Sequence, residues 1–120
     1  MKFHHLSIRL QDFEKALNFY TRLCELKIAK QFSANGGNVA YLLNADGETE
    51  VEIIAMPEGQ TYEGKGMFIC FATDNLEKVH AKAVSMGLNP SDIRQPEPNA
   101  KYFYVYDFDG VSVQFREYNM

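Results

Sequence analysis

Residues 5–16 read His-Leu-Ser-Ile-Arg-Leu-Gln-Asp-Phe-Glu-Lys-Ala, and residues 68–79 read Phe-Ile-Cys-Phe-Ala-Thr-Asp-Asn-Leu-Glu-Lys-Val. A shift of 63 residues superimposes the two stretches, so that Glu-Lys at 14–15 falls on Glu-Lys at 77–78. The same shift places the Asp-Gly turn at 46–47 on that at 109–110, after which the register slips by one residue. Because these matches occur in the same order and include a common turn, they indicate an internal repeat. The repeat predicts that the chain folds as two similar modules.

The first repeat predicts a strand, a helix and then further strands. Residues 3–10 alternate in polarity, which places His5, Ser7 and Arg9 on one face of a strand. Asp12 is a typical N-cap, because its short carboxylate accepts hydrogen bonds from the free amides of a first helical turn. The predicted elements are a strand at 3–10, a helix with the apolar stripe Phe13, Ala16, Leu17, Tyr20 and Leu23, a hairpin turn at 35–38, and strands at 39–43 and 50–56.

The second repeat predicts the same order of elements. Asn75 caps a helix, and Gly87 is placed to end it in a left-handed conformation. Three prolines within residues 89–100 predict a loop. The predicted elements are a strand at 67–73, a helix with the stripe Leu76, Val79, Ala83 and Met86, and strands at 102–106 and 111–117 joined by a turn at 107–110. The chain therefore reads as βαβββ twice, with a linker at 58–65.

The composition describes one small acidic domain. The chain has 120 residues, is 46% hydrophobic, and carries a net charge of −4. A chain with no excess of cations is a poor ligand for nucleic acid, because few phosphate contacts are available. No apolar run approaches the roughly 18 residues of a membrane span, and the N-terminus lacks the apolar core of a signal peptide. Two cysteines are too few for a disulfide scaffold, so we expect a cytoplasmic protein.

Two motifs carry a family resemblance that covers the whole chain. They are His-x-x-Ile-x-x-x-Asp-Phe-Glu-Lys-Ala-Leu-x-Phe-Tyr-x-x-Leu at 5–23 and Asp-x-Asp-Gly-x-x-x-x-Phe at 107–115. The chain resembles the vicinal oxygen chelate superfamily, which contains glyoxalase I, extradiol dioxygenases, fosfomycin-resistance enzymes and bleomycin-resistance proteins. The resemblance implies an α+β fold in which two βαβββ modules, about 1–57 and 66–120, form a cup-shaped mixed sheet flanked by helices. It also implies a single domain, a small-molecule ligand and a homodimer.

The resemblance further implies a divalent metal held by two positions in each module. Those positions are His5, Glu52, Phe68 and Gln114, and the internal repeat relates them in pairs, His5 to Phe68 and Glu52 to Gln114. Phe68 cannot ligate, so the predicted set is one imidazole, one carboxylate and one amide, for Zn, Ni, Mn or Mg. Because Gln114 cannot accept a proton, Glu52 is the predicted catalytic base. An ion pair of Glu52 with Arg9 or Arg116 is the alternative to a metal.

The predicted ligand is a small amphipathic organic acid. Arg9 resembles the arginine that holds glutathione in glyoxalase I, but Met56 stands where that enzyme has a glutathione-binding asparagine. Cys70 is expected to be a buried thiol and not a nucleophile. The other predicted ligand contacts are mainly apolar, so the predicted cavity is apolar and contains two arginines, Arg9 and Arg116. The full predicted ligand-binding set is Ser7, Arg9, Ile54, Met56, Phe68, Cys70, Ser112 and Arg116.

Two functions fit these residues. One is a glyoxalase/bleomycin-resistance-like protein that binds an anionic amphipathic ligand and keeps only a degenerate metal site. The other is a metal-dependent lyase or isomerase of the lactoylglutathione lyase type, in which Glu52 moves the proton and Arg9 holds the anionic end of the substrate. A dioxygenase is disfavoured, because Phe68 replaces the second histidine on which its iron relies.

Overall fold

The computed structural model describes residues 1–118, which divide into two compact modules, the first ending at Glu63. The first module contains a single sheet with the strand order β1-β4-β3-β2. In that sheet β1 runs parallel to β4, whereas β3 is antiparallel to both of its neighbours. The elements are β1 (His5–Arg9), α1 (Phe13–Asn18) with a π-helical turn (Phe19–Leu23), β2 (Lys27–Ala34), β3 (Gly37–Leu43) and β4 (Glu50–Ala55).

The second module, from Gly64 onward, repeats this topology. Its sheet has the order β5-β8-β7-β6, with β5 parallel to β8 and the other pairs antiparallel. The elements are β5 (Ile69–Ala72), α2 (Leu76–Ser85), β6 (Arg94–Glu97), β7 (Ala100–Tyr106) and β8 (Ser112–Tyr118). The α+β class and the two βαβββ modules predicted from the sequence are therefore confirmed. The further prediction that both repeats form one domain, 1–120, stays a prediction.

The strand registers show how closely the two sheets repeat each other. Ser7 on β1 lies beside Glu52 on β4, and the equivalent pair in the second sheet is Cys70 on β5 beside Gln114 on β8. The pairing of Glu52 with Tyr41 is likewise repeated by Gln114 and Tyr104. Equivalent residues in the two sheets are 63 or 62 positions apart in the chain, which is the offset found in the sequence.

Both helices begin where the sequence places their caps. The Asp12 side chain accepts from the Lys15 amide, and the Asn75 side chain accepts from the Lys78 amide. In the first helix the hydrogen-bond spacing widens after Asn18, and the Cys24 amide donates to the Phe19 carbonyl five residues back. This wider turn buries Phe19 completely, although the regular helical stripe omits it. Within residues 1–118, no helix is long and apolar enough to cross a membrane.

Two strands depart from the sequence prediction. The mainly exposed β2 is implied by the βαβββ pattern and the hairpin turn at 35–38, but the sequence gives it no bounds, because its residues show no buried alternation. Residues 94–97, predicted as loop, form the short strand β6, and Pro96 lies within it. Proline has no backbone N–H to donate to a neighbouring strand. It is tolerated in β6 because this strand lies at the edge of the sheet and pairs with another strand on one side only.

Alternation along the central strands sets the two faces of each sheet. In the second module α2 packs against β7 and β8, with Phe103 and Phe115 fully buried beneath it. The intervening residues on these strands point to the opposite face, which we call the distal face, and the same parity holds in the first module. The distal faces carry the side chains that the sequence proposes for function: His5, Ser7, Arg9, Glu52, Ile54 and Met56 in the first module, and Phe68, Cys70, Ser112, Gln114 and Arg116 in the second.

Candidate functional site

A buried carboxylate is the centre of the polar cluster on the first distal face. Glu52 is only 8% exposed. The Ser7 hydroxyl donates a hydrogen bond to Glu52 Oε1, and the Tyr41 side chain is also hydrogen-bonded to this carboxylate. Hydroxyl donors of this kind compensate for the water that a carboxylate loses on burial. Glu52 is thus held by neighbours on β1 and β3 within its own module.

His5 joins this cluster through both ring nitrogens. Its Nε2 lies 3.6 Å from Glu52 Oε1, and its Nδ1 lies 2.7 Å from Nδ1 of His4. The imidazole also packs edge-on against the Tyr41 ring, with the centroids 5.3 Å apart. The predicted juxtaposition of His5 and Glu52 is therefore present in the structure. Within the first module the side chain of Glu52 contacts His5, Ser7 and Tyr41. The ion pair with Arg9, which the sequence offered as an alternative, is not among these contacts.

The hydrogen bond to Glu52 raises the pKa of Tyr41, and desolvation and the negative charge of Glu52 add to the effect. The stabilisation from the neutral phenol is then fully present below the ordinary tyrosine pKa of about 10 and is lost as the pH rises through the raised value. We expect Glu52→Gln to lower the pH at which Tyr41 ionises, measured by ultraviolet absorbance of tyrosinate. Tyr41→Phe serves as the reference that assigns the transition, and an unchanged titration curve in Glu52→Gln would contradict the contact.

The second distal face repeats this arrangement with different chemistry. Gln114 is buried and its Nε2 donates to the Tyr104 hydroxyl at 2.9 Å. Arg116 Nε donates to Gln114 Oε1 at 3.4 Å. Phe68 packs edge-on against Tyr104 with the centroids 5.2 Å apart, as His5 does against Tyr41. An imidazole–phenol–carboxylate cluster in the first module thus corresponds to a phenyl–phenol–amide cluster in the second.

Tyr41 and Tyr104 are the functional candidates that the sequence reasoning missed. Both lie directly across the sheet from a proposed site residue and hydrogen-bond to it. The signal was available, because the 63-residue shift that defines the repeat superimposes the two tyrosines. The sequence analysis places Tyr104 only within the predicted strand at 102–106, where aromatic residues are common for structural reasons.

Arg9 and Met56 lie together in a cavity of the first module. The cavity has a volume of about 440 Å³ and is lined by Arg9, Asn35, Met56, Pro57 and Glu58. Arg9 is exposed, and its carbonyl accepts from the Tyr62 amide at 2.7 Å, which fixes the backbone behind it. The cavity therefore combines one cationic side chain with an apolar wall and polar groups that accept hydrogen bonds.

The remaining predicted site residues differ in accessibility. Ile54 and Ser112 are partly buried on their distal faces, and Phe68 is 47% exposed. Cys70 was expected to be buried, but it is exposed, because it lies on the distal face of the terminal strand β5. Partial desolvation nevertheless raises the pKa of its thiol, with the charge of Arg116 opposing this effect. The second part of the prediction, that Cys70 is not a nucleophile, is untested.

The donors present fit a divalent metal poorly. Two of the three predicted ligands, His5 and Glu52, lie within reach of each other, but two donors do not complete a site. The third, Gln114, has its oxygen engaged by the Arg116 guanidinium, and that fixed positive charge opposes a cation at the same atom. Among residues 1–118, no group of three or more His, Cys, Asp or Glu side chains could hold a metal ion.

The family follows from comparison of the sequence with known proteins. The profile of the Glyoxalase/Bleomycin resistance protein/Dioxygenase superfamily matches residues 2–115. The chain belongs to this superfamily. Members of this superfamily bind small molecules, often as dimers and often with a divalent metal. No curated protein matches this member's sequence significantly.

Solved structures share the fold of this superfamily member at low sequence identity. A glyoxalase family protein from Bacillus cereus has a TM-score of 0.87 and 12% identity, over 100% of this chain and 95% of that one. An antibiotic-binding protein from a Streptomyces species has a TM-score of 0.79 and 15% identity, over 98% and 96% of the two chains. Trypanothione-dependent glyoxalase I from Leishmania major has a TM-score of 0.78 and 15% identity, over 96% and 85%. Identities this low establish the shared fold and no more.

Proposed function

We propose that this superfamily member is a small-molecule-binding protein for an anionic amphipathic organic ligand, and that binding requires no metal. The observation that carries the proposal is the cavity of about 440 Å³ that sets Arg9 beside Met56 and Pro57. Guanidinium groups bind carboxylates and phosphates with paired hydrogen bonds, whereas an apolar wall favours a hydrocarbon body. Glu58 and Asn35 on the same wall offer acceptors for a hydroxyl or amide of the ligand.

The polar cluster around Glu52 supports a metal-free protein. A carboxylate that already accepts from Ser7 and Tyr41 is satisfied by the protein itself. A metal would have to displace these donors or share the carboxylate with them. The degenerate pair of His5 and Glu52 is then a structural remnant of the superfamily's metal centre.

Octanoate is a suitable probe, because it combines one carboxylate with an apolar chain. We expect it to bind the protein in the presence of a chelator. Arg9→Ala should weaken binding by about tenfold to a hundredfold, since a charge-assisted hydrogen bond contributes roughly 1.5–3 kcal/mol. Isothermal titration calorimetry measures the effect, and octanamide tests the need for the charge. Arg22→Ala, an exposed arginine outside the cavity, is the matched control. Equal affinities in the Arg9 and Arg22 variants would contradict the proposal.

The second candidate is the metal-dependent lyase or isomerase, and one observation favours it. The 3.6 Å between His5 Nε2 and Glu52 Oε1 is a separation that two ligands of one ion could span with bonds of about 2.1 Å. In that function Glu52 would hold and move the substrate proton, and Gln114 would complete the ligand set. Stoichiometric metal together with lyase turnover, both lost in His5→Ala, would favour this function over binding alone.

We also propose that the two repeats form a single domain and that the protein is a homodimer. β2 is a terminal strand of its sheet, and Ile28 and Phe32 on it are exposed. Such an edge pairs readily with another chain unless it is covered. Analytical ultracentrifugation would show a mass near 27 kDa for a dimer, twice the 13.7 kDa of one chain.

A further inference from the structure

The second distal face holds a directional chain of hydrogen bonds. Arg116 Nε donates to Gln114 Oε1 at 3.4 Å, and Gln114 Nε2 donates to the Tyr104 hydroxyl at 2.9 Å. The order is fixed by chemistry, because a guanidinium has no acceptor and the amide must therefore present its oxygen to Arg116. The amide nitrogen then faces Tyr104, whose oxygen acts as the acceptor.

This order leaves the Tyr104 hydroxyl with its proton to donate. A phenol that accepts one hydrogen bond keeps its own O–H for a second partner. Hydrogen bonds in a chain polarise one another, so the terminal donor is stronger than an isolated phenol. Tyr41 in the first module has the opposite role, because its partner Glu52 is a carboxylate that can only accept.

Two aromatic rings contact Tyr104. The Phe68 and Tyr102 rings each pack edge-on against Tyr104, with centroid distances of 5.2 and 5.6 Å. The Arg116 guanidinium lies 5.1 Å from the Tyr102 centroid and 5.5 Å from that of Tyr118, and it is also 3.4 Å from Glu97. Rings in edge-on contact offer faces and edges for a further ring, and the neighbouring cation favours an anion.

We propose that the second distal face binds an aromatic anion, a ring that bears a carboxylate or phenolate oxygen, with the Tyr104 hydroxyl as the donor to that oxygen. Gln114 is the positioning residue that orients Tyr104, and it does not ligate a metal. This inference goes beyond the proposed function, because it concerns the second module and not the cavity at Arg9 in the first module. It also gives a reason for glutamine at the position that corresponds to Glu52, since a carboxylate there would consume the Tyr104 proton and repel the anion.

The test uses 2-naphthoate as the probe and its saturated analogue decalin-2-carboxylate as the comparison, each titrated into the full chain by calorimetry. We expect tighter binding of 2-naphthoate, a loss of about tenfold or more in Tyr104→Phe, and a similar loss in Gln114→Met. Tyr106→Phe, on the same strand and 66% exposed, is the matched control and should bind normally. Thermal unfolding of each variant establishes that it is folded.

The double variant separates positioning from a general structural role. If Gln114 acts through the Tyr104 hydroxyl, Gln114→Met has no further effect in the Tyr104→Phe background, whereas independent roles would add. Additive losses, or equal affinity of wild type and Tyr104→Phe for 2-naphthoate, would overturn the inference. Binding of octanoate without binding of 2-naphthoate would overturn it while leaving the proposed function standing. Failure of both probes to bind would overturn both proposals.

Discussion

Phe103→Ala is expected to lower the free energy of unfolding by about 3–5 kcal/mol, which makes it one of the most damaging single substitutions available. Phe103 is completely buried and stacks against Phe115, with the ring centroids 5.4 Å apart. The His80 ring also packs edge-on against Phe103, with the ring centroids 4.9 Å apart, and His80 Nε2 is hydrogen-bonded to the Ser91 carbonyl. Truncation would leave a cavity between α2 and the sheet that these neighbours cannot fill.

The control for this prediction lies three residues further along the same strand. Tyr106 is 66% exposed on the distal face, so Tyr106→Ala is expected to change stability by no more than about 0.5 kcal/mol. Urea denaturation followed by circular dichroism measures both variants. Comparable losses in the two would contradict the face assignment of β7, and with it the placement of Tyr104 on the distal face.

Glu52→Ala is expected to cost about 1–3 kcal/mol, because the Ser7 and Tyr41 hydroxyls lose their common acceptor in a largely buried position. Thermal or urea unfolding measures the loss. Glu50→Ala is the matched control, since Glu50 lies on the same strand and face and its carboxylate approaches the His4 ring at 3.8 Å without accepting a hydroxyl hydrogen bond from Ser7. Its expected effect is within about 0.5 kcal/mol.

A chelator distinguishes this account from a metal centre. If hydroxyl donors satisfy Glu52, the unfolding of the wild-type protein is the same with and without chelator, and the loss in Glu52→Ala is unchanged. A metal bound at Glu52 would stabilise the folded state by mass action. A chelator that lowered the wild-type stability to that of Glu52→Ala would therefore contradict the hydroxyl network.

Much of the fold could be predicted because the repeat and the alternation of strands are local signals. The offset that relates Glu52 to Gln114 also gave their equivalent places in the two sheets, as the strand registers show. The caps at Asp12 and Asn75 were predictable because capping depends on a few adjacent residues. The strand at 94–97 was not, since prolines suggest a loop and only the pairing with β7 makes it a strand.

The candidate site was only partly predictable from the sequence. The alternation of side chains along a strand predicts which residues share a face. The contacts that those residues make also depend on the order and register of the neighbouring strands. The sequence placed His5 beside Glu52 and offered an arginine as the alternative partner, but it did not indicate that Ser7 and Tyr41 contact this carboxylate. Cys70 was expected to be buried because thiols usually are, but a terminal strand exposes its distal face.

The metal content of the untagged protein shows whether hydroxyl donors or a metal ion satisfy Glu52. The protein is dialysed against a modest excess of Zn, Ni, Mn and Mg, then against metal-free buffer, and measured by mass spectrometry for metal per chain. We expect far less than one ion per chain, with the same value in wild type, Glu52→Ala and Gln114→Met. Close to one ion per chain in the wild type, lost in both variants, would contradict this expectation and establish the His5, Glu52 and Gln114 metal centre.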